Sequence, residues 1–184
     1  DVNTEKAKSR VAGFKKQFND WVDVPEDRIF GGLDGYKSAI DAGADAFIGT
    51  GVQTLRGIEI YKGKPVFYGL GEFFREAQWE LELVVGAEES DPARRMQQFS
   101  RNFGGSTQSL ESLVTTSHYE DGELKEVRLY PTELGINSPD SRLGIPRMAG
   151  EQHAQKILER VARLSDQWGT KIHIERNIGV IRID

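Results

Sequence analysis

The stretch Ala39 to Phe74, AIDAGADAFIGTGVQTLRGIEIYKGKPVFYGLGEFF, concentrates the side chains of this chain that could do chemistry. Thr50 and Gln53 stand three residues apart in a glycine-flanked loop, Arg56 follows them, and Glu72 lies in a second glycine-rich turn. A threonine hydroxyl and a glutamine carbonyl can complete the oxygen shell of a hard cation, but neither brings charge. The Arg56 guanidinium can fork onto a carboxylate or phosphate, against the plainer alternative of pairing with Glu59 or capping a carbonyl. Glu72 becomes a general base if desolvation raises its pKa. Thr50, Gln53 and Arg56 are therefore the expected ligand-binding residues, and Glu72 the catalytic candidate.

Other chemistry is harder to place. His118, His153 and His173 lack H-x-H, H-E-x-x-H or any other ligand spacing, so each reads as a partly buried or surface histidine, with no metal residues assigned. The GTG and GLGE runs match neither a nucleotide-phosphate loop nor a dinucleotide fingerprint, and turns explain them better. Asp41 and Asp45 flank a helix-to-strand turn, where carboxylates make local backbone hydrogen bonds. Ser106, Thr107 and Ser109 have no nucleophile elbow around them. Tyr61, Phe67, Tyr68, Phe73, Phe74 and Trp79 read as core and rim rather than a carbohydrate platform.

The elements that must position these residues follow from periodicity. Val11, Phe14, Phe18 and Trp21 or Val22 recur at helical spacing within 3–22, an amphipathic helix that Pro25 and Gly31-Gly32 break. Tyr36 to Ala42 is a short helix stopped at Gly43, and AFIG is a short buried strand. IEIY and KPVF flank Lys62-Gly63, a hairpin signal, and a second hairpin turns at Glu120-Asp121-Gly122. Residues 88–109 are polar, with a helix near 92–102 and a flexible Gly-Gly-Ser connection. After a Pro/Gly-punctuated crossing loop, Glu151 to Trp168 carries Ile157, Leu158, Val161 and Leu164 on one face, capped by Gly169. Two β-rich runs separated by Arg176-Asn177 close the chain. This order of helix, strand and site-bearing loop is that of an α/β layered sandwich with a mixed sheet.

Composition narrows the partners. Length of 184 residues with 38% hydrophobic and 29% charged residues fits one domain, 1–184. A net charge of −5 without a Lys/Arg run leaves no phosphate-backbone footprint, so no nucleic acid partner is expected. No apolar run approaches the roughly 20 residues of a membrane span, and DVNTEKAKSR is not a signal peptide. Zero cysteines exclude disulfides and thiolate sites while leaving the compartment open, cytoplasmic or extracytoplasmic envelope.

DAGADAFIG, LRGIEIYKGKPVFYGLGEFF, VRLYPTELG, IPRMA and ILERVARLSDQWGTKIHIERNIGVIRI, in that order, resemble the carboxyl-terminal half of the CapA family of bacterial capsule or poly-gamma-glutamate synthesis proteins. The resemblance covers 36–184 and leaves 1–35 as a divergent helix and loop. It implies part of a calcineurin-like metallophosphatase fold, with ligands on loops at strand ends. The family's later loop is of Gly-His-x-Pro-His type; here Thr50 and Gln53 stand at its two histidines, and Glu72 replaces the amide of its Gly-Asn-Phe. Nothing in 1–39 reads as the earlier aspartate and Asn-His loops, so a fragment or shortened relative is expected. Two-metal phosphoester hydrolysis needs several imidazole or carboxylate ligands, which leaves no metal cofactor expected for this chain by itself. Three functions follow: a CapA-like protein of envelope polymer metabolism without the usual dinuclear site; a metal-dependent hydrolase, using Mn²⁺ or similar, completed by an upstream segment or partner chain; or a non-catalytic interaction domain. An anionic polymer or phosphoester is the implied ligand, and a partner chain or oligomer covering an open sheet edge the implied partner.

Overall fold

The computed structural model describes residues 3–74, 107–135 and 144–183. Helix α1 spans Thr4–Phe18 and α2 Gly35–Asp41; strands β1 (Phe47–Ile48), β2 (Ile58–Tyr61) and β3 (Lys64–Phe67) follow. Further on come β4 (Glu111–Glu120), β5 (Glu123–Glu133), β6 (Arg147–Met148), α3 (Glu151–Ser165), β7 (His173–Glu175) and β8 (Ile178–Arg182). The first sheet is mixed, in the order β1-β3-β2, with β1 parallel and β2 antiparallel to β3. The second is antiparallel, in the order β4-β5-β8-β7, with β6 also on β5. Two sheets with helices, one of them mixed, give the expected α/β layered architecture.

Hairpin turns form where the backbone can adopt positive φ at two successive residues. Lys62-Gly63 (φ 50°, 74°), Asp121-Gly122 (51°, 81°) and Arg176-Asn177 (48°, 68°) all do so. Helix α3 buries Ala154, Ile157, Leu158 and Val161, the stripe its period dictates. It touches β2 of the first sheet and β5 and β8 of the second, so one core runs from Leu55, Ile58 and Phe67 to Leu129 and Ile181. Each fully buried Leu, Ile or Val there contributes about 1.5–3 kcal/mol. Ser165 locks the end of α3 to β2: its hydroxyl accepts from the Ile58 N–H (2.9 Å) and donates to Val161 O (2.7 Å).

Four expectations need correction. Strand β1 is not buried: Ile48 is 58% exposed, because β1 is a two-residue edge strand with β3 as its neighbour. Helix α1 has the expected period and its Asn3 cap, yet it buries none of its side chains, and Phe14, Phe18 and Trp21 are exposed. Asp41 and Asp45 do not bond the local backbone; they pair with Lys62 (2.7 Å) and Lys64 (2.8 Å) of the β2–β3 hairpin. The crossing loop contains β6, whose Arg147 and Met148 register with Glu133 and Thr132. The expected helix and flexible connection between 88 and 106, and the middle of the crossing loop, lie outside the described residues.

Candidate functional site

Because β1 and β3 run parallel, their carboxyl ends open on the same side, the position where α/β sheets present loops to ligands. The loop after β1 carries Thr50 and Gln53, returns through Arg56 into β2, and meets the Gly69–Glu72 turn that leaves β3. Gly49 N–H donates to Phe67 O (2.7 Å) and Arg56 N–H to Gly69 O (2.9 Å), and Leu55 bridges Leu70. Such close approach needs glycine. A Cβ at Gly49 would lie 2.7 Å from Tyr68 O, and one at Gly69 3.0 Å from Arg56 Cγ.

All four predicted residues therefore share one end of the first sheet. Thr50, Gln53 and Arg56 are exposed and Glu72 is half-buried. The Arg56 stem lies against Gly69, and no described residue binds its guanidinium. The expected alternative, pairing with Glu59, does not occur because tyrosines occupy that carboxylate. Glu59, 9% exposed, accepts from Tyr36 OH (3.2 Å) and Tyr68 OH (2.5 Å) on the same oxygen. Register puts Phe47, Val66 and Glu59 on one face of the sheet, where α2 lays Tyr36. Trp168 stacks on Tyr68 at 4.5 Å between ring centroids.

Burial, and then the hydrogen bond to Glu59, push the Tyr68 phenol well above the ordinary tyrosine range. A raised native pKa gives stability that is full below the unfolded value of about 10 and is lost as pH climbs beyond it. Unfolding free energy measured in urea from pH 9 to 11 should accordingly decline, and Tyr68→Phe should flatten the decline. Identical slopes for the two proteins would remove Tyr68 as its source.

The turn after β3 rests on a second polar cluster. Leu113 N–H donates to Leu70 O (2.9 Å), and Gly71, at φ 76°, leaves no room for a Cβ beside Glu111 O and Ser112. Glu111 and Glu133 face each other across β4 and β5, 5% and 4% exposed. The two Glu111 oxygens accept from His153 Nε2 (2.6 Å) and from Arg160, and Glu133 accepts from Arg147. Ser112 and Thr132 share a hydrogen bond of 2.6 Å beside them. Sequence reading missed this cluster. The available signal was His153 and Arg160 seven residues apart, two helical turns on one face. His153 is partly buried, as expected, while His118 is exposed beside Glu120 and His173 is exposed in β7.

Thr50 and Gln53 supply neutral oxygens, and among the described residues no three His, Cys, Asp or Glu side chains gather to hold a metal ion. Among these residues no helix is long and apolar enough to cross a membrane.

Residues 33–77 match the family model of the bacterial capsule synthesis protein PGA_cap. Two curated relatives, the "uncharacterized" proteins y4sH and y4uA of Sinorhizobium fredii (strain NBRC 101917 / NGR234), are each 39% identical over 167 residues. Each alignment covers 80% of this chain and 36% of the relative, so the chain spans little more than a third of the length of the curated relatives it matches. The family match contains α2, the first sheet and each of Thr50, Gln53, Arg56 and Glu72, and over this stretch the chain is similar to the bacterial capsule synthesis family.

Proposed function

We propose that this chain acts in capsule or poly-gamma-glutamate metabolism as a CapA-like module whose own residues do not form the usual dinuclear metal site. Its site loop holds an anionic polymer or phosphoester through Arg56, with Thr50 and Gln53 as neutral hydrogen-bonding neighbours. One observation carries this reading: at the strand ends, the loop presents a guanidinium that no described residue binds and two neutral side chains where imidazoles would be needed. An exposed arginine with free N–H groups binds carboxylate or phosphate bidentately, whereas a hydroxyl and an amide do not activate water on a borderline metal.

The test is metal analysis of the purified protein, followed by assay of a generic phosphodiester with added Mn²⁺. Substoichiometric metal and no turnover are expected; stoichiometric metal with turnover would overturn the reading. The double variant Thr50→His, Gln53→His should raise Mn²⁺ affinity if these positions face a metal site. Unchanged affinity would sink that positional assignment.

The 36% coverage of the relatives favours a second reading. Here the remaining ligands come from an upstream segment or partner chain seated on the outer edge of β1, and Glu72 serves as general base in a completed hydrolase. Supplying the rest of a relative's sequence as a separate polypeptide should then produce a stable complex by size measurement, with metal uptake and turnover. Failure to associate would leave the first reading, or that of a plain interaction domain.

A further inference from the structure

We propose that the cleft between α1 and the tyrosine face of the first sheet binds a small carboxylic acid with an apolar, aromatic body. The cleft has a volume of about 530 Å³, within the range of about 300–1,000 Å³ typical of ligand sites. Val11 of α1, Phe30, Phe47, Tyr36 and Tyr68 line it, with Arg28 among the lining residues. None of its walls is Thr50, Gln53, Arg56 or Glu72, so the site is separate from the loop discussed above.

Its walls are fixed by local chemistry. Asn3 caps α1 through the Lys6 N–H (3.0 Å), and the start of α1 rests on Gly31, where a Cβ would lie 2.6 Å from Thr4 Cα. On the opposite wall, Tyr36 meets Phe47 at 5.8 Å and Tyr68 at 5.4 Å, the latter edge to face. Both tyrosine hydroxyls are committed as donors to Glu59. That carboxylate is nine-tenths buried and forms no ion pair among the described residues. With both hydroxyls turned inward to Glu59, the tyrosines offer an anionic head group no donor, whereas the Arg28 guanidinium attracts one. Arg28 is exposed and spends one N–H on Ala42 O (3.0 Å), which among the described residues leaves four of its five donors for a ligand. The charge pattern thus orients the ligand: aromatic body against Phe47 and Tyr36, carboxylate outward on Arg28.

Calorimetric titration with 4-phenylbutyrate and with its uncharged counterpart 4-phenylbutanol tests the proposal. Saturable 1:1 binding of the acid is expected, with the alcohol weaker by roughly 10- to 150-fold, the value of a charged hydrogen bond. Arg28→Gln should weaken the acid by a similar factor and leave the alcohol unchanged. Ala39→Phe, which fills the cleft from α2, should abolish binding of both, and a urea unfolding curve on each variant confirms that it is folded. If Ala39→Phe fails to fold, Val11→Phe fills the cleft from α1. Trp21→Ser, outside the cleft, should change nothing. No saturable binding below about 5 mM, equal affinity for acid and alcohol, or indifference to either the Arg28 or the cleft-filling substitution would overturn it.

Discussion

Replacing Glu111 by alanine is expected to lower the unfolding free energy by about 3–5 kcal/mol, a large part of the roughly 5–15 kcal/mol that holds an ordinary domain together. The carboxylate is 5% exposed and both its oxygens are engaged, one by His153 and one by Arg160. Both partners belong to α3, and their side chains are only 26% and 19% exposed. Removing the anion leaves the Arg160 charge with little water and without its carboxylate partner, which is the costly half of breaking a buried pair. Glu111→Gln keeps the shape and an acceptor oxygen, so its loss should be smaller, about 1–3 kcal/mol. Urea unfolding followed by tryptophan fluorescence measures both. An alanine variant within about 1 kcal/mol of the parent would mean that the apolar stripe of α3 alone holds it in place.

Why the sequence hides this cluster while exposing the elements around it is a question of range. The three hairpins are legible because turn chemistry is local: Lys62-Gly63 and Asp121-Gly122 place a glycine where positive φ is needed, and Arg176-Asn177 divides two β-rich runs. Helix α3 is legible because Ile157, Leu158 and Val161 obey a period that no neighbour has to confirm. Glu111 and Glu133 are different. Each looks like the polar end of an alternating strand, and only the β4–β5 register, carried across ten pairs with an irregularity at His118/Tyr119, sets them opposite each other under α3. The same holds for Glu59. Its natural partner in sequence is Arg56, three residues away, but residues in an extended strand three apart point to opposite faces, and the face of Glu59 belongs to Tyr36 and Tyr68. Burial of β1 failed for a related reason: an apolar pair flanked by glycines does not reveal how many strands lie beside it. Thr50, Gln53, Arg56 and Glu72 come to one end of the first sheet through the parallel β1–β3 pair, a long-range pairing that the glycine-flanked runs do not themselves specify.

The glycine of the GLGE turn separates backbone strain from crowding, and this makes Gly71→Ala the sharper experiment on the site itself. Gly63 and Gly71 have nearly the same φ, 74° and 76°. Around Gly63 a Cβ would meet nothing within 4 Å, whereas at Gly71 it would overlap Glu111 O and come 3.0 Å from Ser112 Cα. Gly63→Ala should therefore cost only the left-handed penalty of about 1–2 kcal/mol. Gly71→Ala adds a backbone collision that no rotamer relieves, and the total should reach about 2–5 kcal/mol. The collision also has a direction: it drives the turn away from β4, carries Glu72 with it, and lengthens the bond from Leu113 N–H to Leu70 O. Amide exchange at Leu113 should accordingly accelerate in Gly71→Ala and stay at the parent rate in Gly63→Ala. Equal destabilisation of the two variants, with Leu113 still protected in both, would mean that the turn yields without disturbing β4. The Glu111 cluster would then be a support for α3 alone, with no part in placing the loop that carries Glu72.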